Sequence, residues 1–485
     1  YELETDAGHS VEELRSYRPG GYHPVVLGDR LGPDGRYRVA HKLGYGGYAT
    51  VWLCHDSVAG KWRAVKMMAA ALSGADCADL RALALFGGID RAVLAANGLQ
   101  LALDHFWLDG PNGRHLGFVL PLLGPNLSGV FDVYGHLPEL VKDICFQLVA
   151  AMRFMHSHGL CHGDFRSDNI MFRLVDGVDE WPEAALVRLL GAPVCVPVRP
   201  VAETETETET ATATEREPGM PPYLVQRASI DYGSGVCASE MAVIDFGVSY
   251  HVARPPVGKG TGIPLQYAAP EEVFEEDGWL GFQTDIWSLG VTMAEARLGY
   301  TPFASDTDDL VRGVEKLECV VGPMPHPFRE TWRRWGGDFV NCLDDAGRPR
   351  DDDGWRDETV FATVDTEEEE WLHADRADEL GAGNHLEYRM NRPRLMGISN
   401  TEAADLAAQA QADPRRLPTY APAPAPATAT DGNHTVALDQ RVIYTMDKRE
   451  IRDMFDLLLR IFQWRPDQRA SLEDILDHDW FGQRS

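Results

Sequence analysis

The stretch 160-LCHGDFRSDNIMF-172, from Leu160 to Phe172, decides how the rest of the chain is read. Asp164 and Asn169 lie five positions apart in a short polar run framed by apolar residues. Phosphoryl transfer asks for such a loop: a carboxylate to accept a hydroxyl proton and an amide to hold a metal ion. The reading depends on whether the other parts that this chemistry needs occur before and after it, in order.

Upstream, Tyr37, Val39 and His41, then Thr50, Trp52 and Cys54, alternate as strands do. Between them lies Gly44-Tyr45-Gly46-Gly47-Tyr48-Ala49-Thr50-Val51. Glycine lets backbone amides approach phosphates closely, so a hairpin lid is expected, although an ordinary glycine-rich hairpin has the same look. Arg63-Ala64-Val65-Lys66-Met67-Met68 reads as an apolar strand with one lysine. A lysine there is costly unless paired, and phosphate oxygens with a carboxylate would pair it. Small Ala64 would leave room for a flat base. The helix-prone run Asp76 to Phe86 offers Asp79 as the partner for Lys66, with Asp76 second. First-turn acids also suit the helix dipole for its own sake.

Phe106 to Gly124 reads as a hairpin with a Pro-Asn-Gly turn and a strand ending at Pro121, a hinge candidate. Leu137 to His156 is a core helix that delivers the chain to the 160–172 loop. Met241 to Gly247 is an apolar strand ending in Asp245-Phe246-Gly247, where a second metal-binding carboxylate belongs. Tyr267-Ala268-Ala269-Pro270-Glu271 follows, then Asp285-Ile286-Trp287-Ser288-Leu289-Gly290, which opens an apolar helix to Leu298. Glu450 to Gln463 carries a stripe of Ile451, Met454, Phe455, Leu458 and Phe462. Trp464-Arg465-Pro466 and a final helix end the chain.

Two inserts interrupt this order and read as loop-like or disordered. The first, about 173–240, contains the tract Thr204 to Glu215. The second, about 322–441, holds Asp351 to Asp353, Glu367 to Glu370 and the Ala-Pro run from Ala421 to Pro426. Residues 1–20 read as a loose polar lead-in.

The chain has 485 residues and a formal net charge of −30. Such acidity disfavours nucleic acid, which is bound through its phosphates, and suits basic partners, although acidity that simply keeps a protein soluble has the same look. The eight cysteines are scattered without metal-ligand spacing, so a reducing, intracellular compartment is expected. No apolar run approaches membrane-spanning length, and no signal peptide is visible in a chain that begins at Tyr1.

Taken in order, the glycine loop, Ala64-Val65-Lys66, HGDFRSDN, Asp245-Phe246-Gly247, Ala268-Ala269-Pro270-Glu271, the Asp285 helix and the late Trp-Arg motif resemble the eukaryotic protein kinases. The run Tyr17 to Leu31, joined directly to Arg36 to Leu53, together with a spacer just after the catalytic loop, looks like the SR-protein kinase family, in particular a divergent fungal-type member.

The resemblance implies an α+β, bilobal protein-kinase fold: lead-in 1–21, β-rich N-lobe 22–123 and helical C-lobe 124–485, carrying the two low-complexity inserts. It implies ATP and Mg2+ as cofactors, transfer to serine in arginine/serine-rich proteins, a monomer, no direct nucleic-acid or membrane partner, and a cytoplasmic and nuclear location. Asp164 would be the catalytic base, Arg166 would steady the γ-phosphate, and Lys66 would hold the α- and β-phosphates while pairing with Asp79. Gly44, Gly46 and Gly47 would cover the phosphates. Leu43, Val51, Ala64, Leu120 and Leu123 would complete the nucleotide site, and Asn169 and Asp245 would bind the metal. Glu271 would pair with Arg469.

Some positions depart from the family pattern. Asp79 stands where kinases place glutamate, one methylene shorter. Arg166 replaces lysine, with a different donor geometry. Gly163 replaces an arginine that reads activation-loop phosphate in many kinases, so an activation segment ordered without phosphate is expected. Thr261 lies farther from Tyr267 than usual, and Ala268 stands where related kinases carry arginine. Two alternatives compete: a pseudokinase scaffold, and a small-molecule phosphotransferase with the same HGD loop. Retention of Lys66, Asp164, Asn169 and Asp245 opposes the first. The Ala268–Glu271 run and the Asp285 helix oppose the second.

Overall fold

A computed structural model describes residues 2–3, 10–200, 217–256, 260–274, 279–303, 310–335, 386, 390, 394–419 and 441–482. The chain forms two compact units: Tyr1–Arg91, Gln100–Pro125 and Phe172–Ala238 make the first, and Ala92–Leu99, Asn126–Met171 and Ser239–Ser485 the second.

The first unit is built on strands. After a two-residue strand β1 (Glu2–Leu3) come β2 (Arg30–Leu31), β3 (Tyr37–Gly46), β4 (Ala49–Asp56), β5 (Lys61–Met68), β6 (Asp104–Gly110) and β7 (Gly113–Pro121). The last six form one sheet in the order β2-β3-β4-β5-β7-β6. The period-two pattern sets its two faces. One face carries Tyr37, Val39, Trp52, Cys54, Val65, Met67 and Val119, all buried in one cluster with Phe106 and Val225. On the other, helix Ala78–Phe86 lies over one end through Leu80 and Leu83, which pack on Ala49, Met68, Leu116 and Phe118. Asp76 falls before the first turn of that helix.

The lead-in is folded from residue 10 onward. Val11, Glu12 and Tyr17 are buried. Polar composition hides this because the buried Glu12 carboxylate is matched by an ion pair with Lys42, itself fully buried on β3. The described part of the first insert also has structure and belongs to this unit. It supplies helix Glu183–Leu190 and strands Cys195–Arg199 and Tyr223–Val225, which pair with each other and with β1. Cys195–Arg199 alternates exposed and buried residues, and its inward Val196 and Val198 meet Tyr17, Tyr22 and Leu224. The tract Thr204 to Glu215 lies outside the described residues.

The second unit is helical. Helix Pro138–Ser157 buries Ile144, Leu148, Met152 and Met155. Helix Phe282–Leu298 is buried on nearly every side. Helix Lys448–Ile461 starts at Asp447, whose carboxylate accepts from the N–H groups of Arg449 and Glu450, and it presents Ile451, Met454, Leu458 and Ile461 inward. The second insert contributes helix Phe328–Arg334 and helix Asn400–Ala412, the latter preceded by strand Arg394–Ser399. That strand pairs antiparallel with Arg441–Tyr444. The two acidic runs and the Ala-Pro tract lie outside the described residues.

Candidate functional site

In the first unit, strand register gathers several of the expected nucleotide residues on one face. Val51 stands opposite Lys66, Ala64 opposite Leu120, and Gly44 opposite Val51. Because side chains alternate, Val51, Ala64, Lys66 and Leu120 share the face opposite to Trp52, Val65 and Val119. The latter three are fully buried, whereas the four shared-face residues keep some exposure. That leaves a flat, apolar strip with one ammonium group at its end, a shape that suits an aromatic base followed by phosphates. Leu43 precedes Gly44 on β3, and Leu123 follows β7, both half-buried. Gly46 closes β3, and Gly47 follows it in the turn to β4. The Lys66 ammonium lies 3.9 Å from Asp79 Oδ1, the long ion pair that the shorter side chain implies.

In the second unit, the 160–172 loop is locked by its own polar groups. Asn169 Nδ2 donates to the Asp164 carbonyl at 2.8 Å and to Asp164 Oδ2 at 2.7 Å. Arg166 Nε donates to Asp164 Oδ1 at 3.1 Å, and its Nη1 reaches Asp168. Burial pushes the Asp164 carboxyl above the usual carboxylate range, while Arg166 and His162 pull against that rise. A raised pKa makes this carboxylate a better proton acceptor.

The Ile244 N–H donates to the Asn169 carbonyl at 2.9 Å, which places Asp245 beside the loop. Asp245 has φ 61°, a left-handed conformation that few non-glycine residues adopt, and its Oδ1 accepts from the Gly247 N–H at 3.3 Å. These donors fit a hard divalent cation. The Asn169 side-chain nitrogen donates to Asp164, which leaves its Oδ1 as the side-chain atom that could ligate a cation. Oxygen ligands of this kind, few in number, suit magnesium completed by phosphates and water. Among the described residues, no cluster of three or more His, Cys, Asp or Glu side chains could hold a metal ion.

The residue that sequence reading missed is Asp285. It lies near the start of a helix that is buried on nearly every side, and its two oxygens accept the N–H groups of His162 (2.7 Å) and Gly163 (2.9 Å). His156 Nε2 lies 3.1 Å away. The available signal was a carboxylate in a helix with no polar face, which needs strong donors to be tolerated. Gly163 has φ 78°, and a Cβ there would stand 3.0 Å from both Thr261 Cγ2 and the Val248 carbonyl. Thr261 is held in turn by Glu272, whose Oε1 accepts from its backbone N–H and its hydroxyl at 2.5 and 2.6 Å. The segment before Tyr267 is thus pinned by a carboxylate of the chain itself. Glu271 and Arg469 form the expected pair, bidentate at 2.7 and 2.6 Å and fully buried.

Comparison with known proteins gives matching results. The protein kinase domain family profile matches residues 236–350. Serine/threonine-protein kinase SKY1 of Saccharomyces cerevisiae is 34% identical over 184 residues, 36% of this chain and 25% of that protein. Protein kinase dsk1 of Schizosaccharomyces pombe is 34% identical over 166 residues, 33% of this chain and 30% of that one. SRSF protein kinase 3 of Homo sapiens is 31% identical over 187 residues, 36% and 33% respectively. The chain therefore spans a third or less of the length of these curated relatives.

Proposed function

We propose that this chain, which the protein kinase domain profile matches over residues 236–350 and which is similar to serine/threonine-protein kinase SKY1, protein kinase dsk1 and SRSF protein kinase 3, transfers the γ-phosphoryl group of ATP to serine hydroxyls in basic, arginine/serine-rich proteins. The observation that carries the reading is the locked Asp164–Asn169 pair beside Asp245. It combines a proton acceptor of raised basicity with two oxygen donors for a cation.

In this proposal Asp164 accepts the serine proton as the hydroxyl attacks. Arg166, already oriented by Asp164 and Asp168, steadies the γ-phosphate. Lys66 holds the α- and β-phosphates, and the amides at Gly44, Gly46 and Gly47 cover them. Leu43, Val51, Ala64, Leu120 and Leu123 take the base. Asn169 and Asp245 hold Mg2+, which when bound neutralises phosphate charge. Similarity to SRSF protein kinase 3 and a chain charge of −30 support the basic substrate class, because an acidic enzyme attracts cationic peptides.

The test is Asp164→Ala assayed two ways. Phosphate transfer should fall at least a hundredfold while nucleotide affinity stays within about threefold, because the lost group acts on the hydroxyl and not on ATP. Near-normal transfer by the variant removes Asp164 from the chemistry.

A further inference from the structure

The glycine lid is gripped from outside its own hairpin. Gly44, Gly46 and Gly47 have open space where a Cβ would stand, so these three positions contribute no side-chain packing to fix the height of the lid. The Ala69 N–H donates to the Tyr48 carbonyl at 2.9 Å. From the lead-in, the Tyr22 hydroxyl donates to the Gly46 carbonyl.

Tyr22 is the end of a rigid arm. It is 5% exposed and packs edge-on against Tyr17, with ring centroids 5.8 Å apart. Its N–H donates to the Ser16 carbonyl at 2.9 Å, and its carbonyl accepts from Asn112 Nδ2 at 2.7 Å. Asn112 is buried in the β6–β7 turn. Its own carbonyl accepts from the Gly20 N–H at 2.7 Å, and its Nδ2 also reaches the Gly219 carbonyl, at 2.8 Å. Ala70 and Ala71 donate to the carbonyls of Gly21 and Gly20 at 2.9 and 2.7 Å. The hydroxyl is therefore delivered to Gly46 by backbone that is tied down on both sides.

We propose that Tyr22 is a positioning residue for the nucleotide, acting through Gly46 to set the height of the lid. This rests on the kinase reading above. A lid held in place before ATP arrives loses less conformational freedom on binding, so its brace contributes to affinity and not to the chemical step. The geometry makes the brace specific: Tyr17, in the same buried cluster, sends its hydroxyl to Glu12 and not to the lid.

The test compares Tyr22→Phe with Tyr17→Phe, each of which removes one buried hydroxyl and keeps the ring. Loss of one hydrogen bond predicts that Tyr22→Phe raises the ATP KM about three- to tenfold, with kcat at saturating ATP changed by less than about twofold. Amide exchange across residues 43–49, measured without nucleotide, should accelerate in Tyr22→Phe and not in Tyr17→Phe. Unchanged lid exchange in Tyr22→Phe, or equal acceleration in both variants, overturns the proposal. A wild-type chain that binds no nucleotide sinks the kinase reading alone, because the exchange comparison still decides the brace.

Discussion

The Lys66 ammonium stands 3.9 Å from Asp79 Oδ1, at the outer edge of an ion pair, although both side chains are largely buried. The helix that carries Asp79 is fixed against the sheet by Leu80 and Leu83, so the gap is set by side-chain length and not by a loose helix. A charge pair at this separation holds Lys66 less firmly than a direct hydrogen bond of 2.7–3.2 Å.

Restoring the missing methylene should tighten the site. Asp79→Glu is expected to lower the ATP KM about two- to fivefold, and Asp79→Ala to raise it by at least as much. Steady-state kinetics over a range of ATP concentrations measures both. If Asp79→Ala left KM and kcat untouched, Lys66 would be held by something other than this carboxylate.

Arg469 and Glu271 should be a stability pair. Both side chains are fully buried, and Arg469 also donates to the carbonyls of Gln283 (2.8 Å) and Gln463 (3.1 Å). Removing one partner leaves a charge in the interior without its counter-ion, which costs about 3–5 kcal/mol. Arg469→Ala should therefore lower the denaturation midpoint sharply. A loss below about 1 kcal/mol would show that the site admits water or rearranges.

Glu272 gives a pH dependence. Burial, with Glu271 and Asp285 nearby, pushes its carboxyl up to about 7, against the pull of the Thr261 donors. Its folded pKa lies above the ordinary value of 4.5. The folded chain thus holds this proton more tightly than the unfolded chain does. The stabilising contribution is complete below the ordinary value and is lost as pH rises through 7, an effect on the order of 3 kcal/mol. Glu272→Gln removes that titration. Denaturant unfolding at about pH 5 and about pH 8 should show the wild-type chain losing stability relative to the variant as pH rises. Parallel curves would mean that the Glu272 carboxylate is ionised in the folded state throughout.

Much of this was legible in the sequence where local pattern and chemistry agree. Period-two alternation marked β3 and β4, an apolar run marked β5, and the Pro111-Asn112 turn marked the β6–β7 hairpin. Asp164 and Asn169 stand out because a polar loop between apolar runs limits what those side chains can do. Less legible were features made by partners distant in sequence. Glu12 reads as a solvated acid until Lys42 is placed against it, 30 residues later. Cys195–Arg199 is a short strand whose register depends on Tyr223–Val225, across a low-complexity tract. Asp285 reads as a helix-start acid, and only the tertiary structure brings it to the backbone of His162 and Gly163. Composition averages over such pairings and so returns loop for segments that in fact pack.

The most direct measurement of the central claim is transfer from γ-labelled ATP to three acceptors: an arginine/serine repeat peptide, the same peptide with every serine replaced by alanine, and a small amino-alcohol. The account predicts label in the serine peptide, none above background in its alanine control, and none in the amino-alcohol. Label confined to the amino-alcohol, or no transfer to any acceptor while ATP still binds, would contradict it.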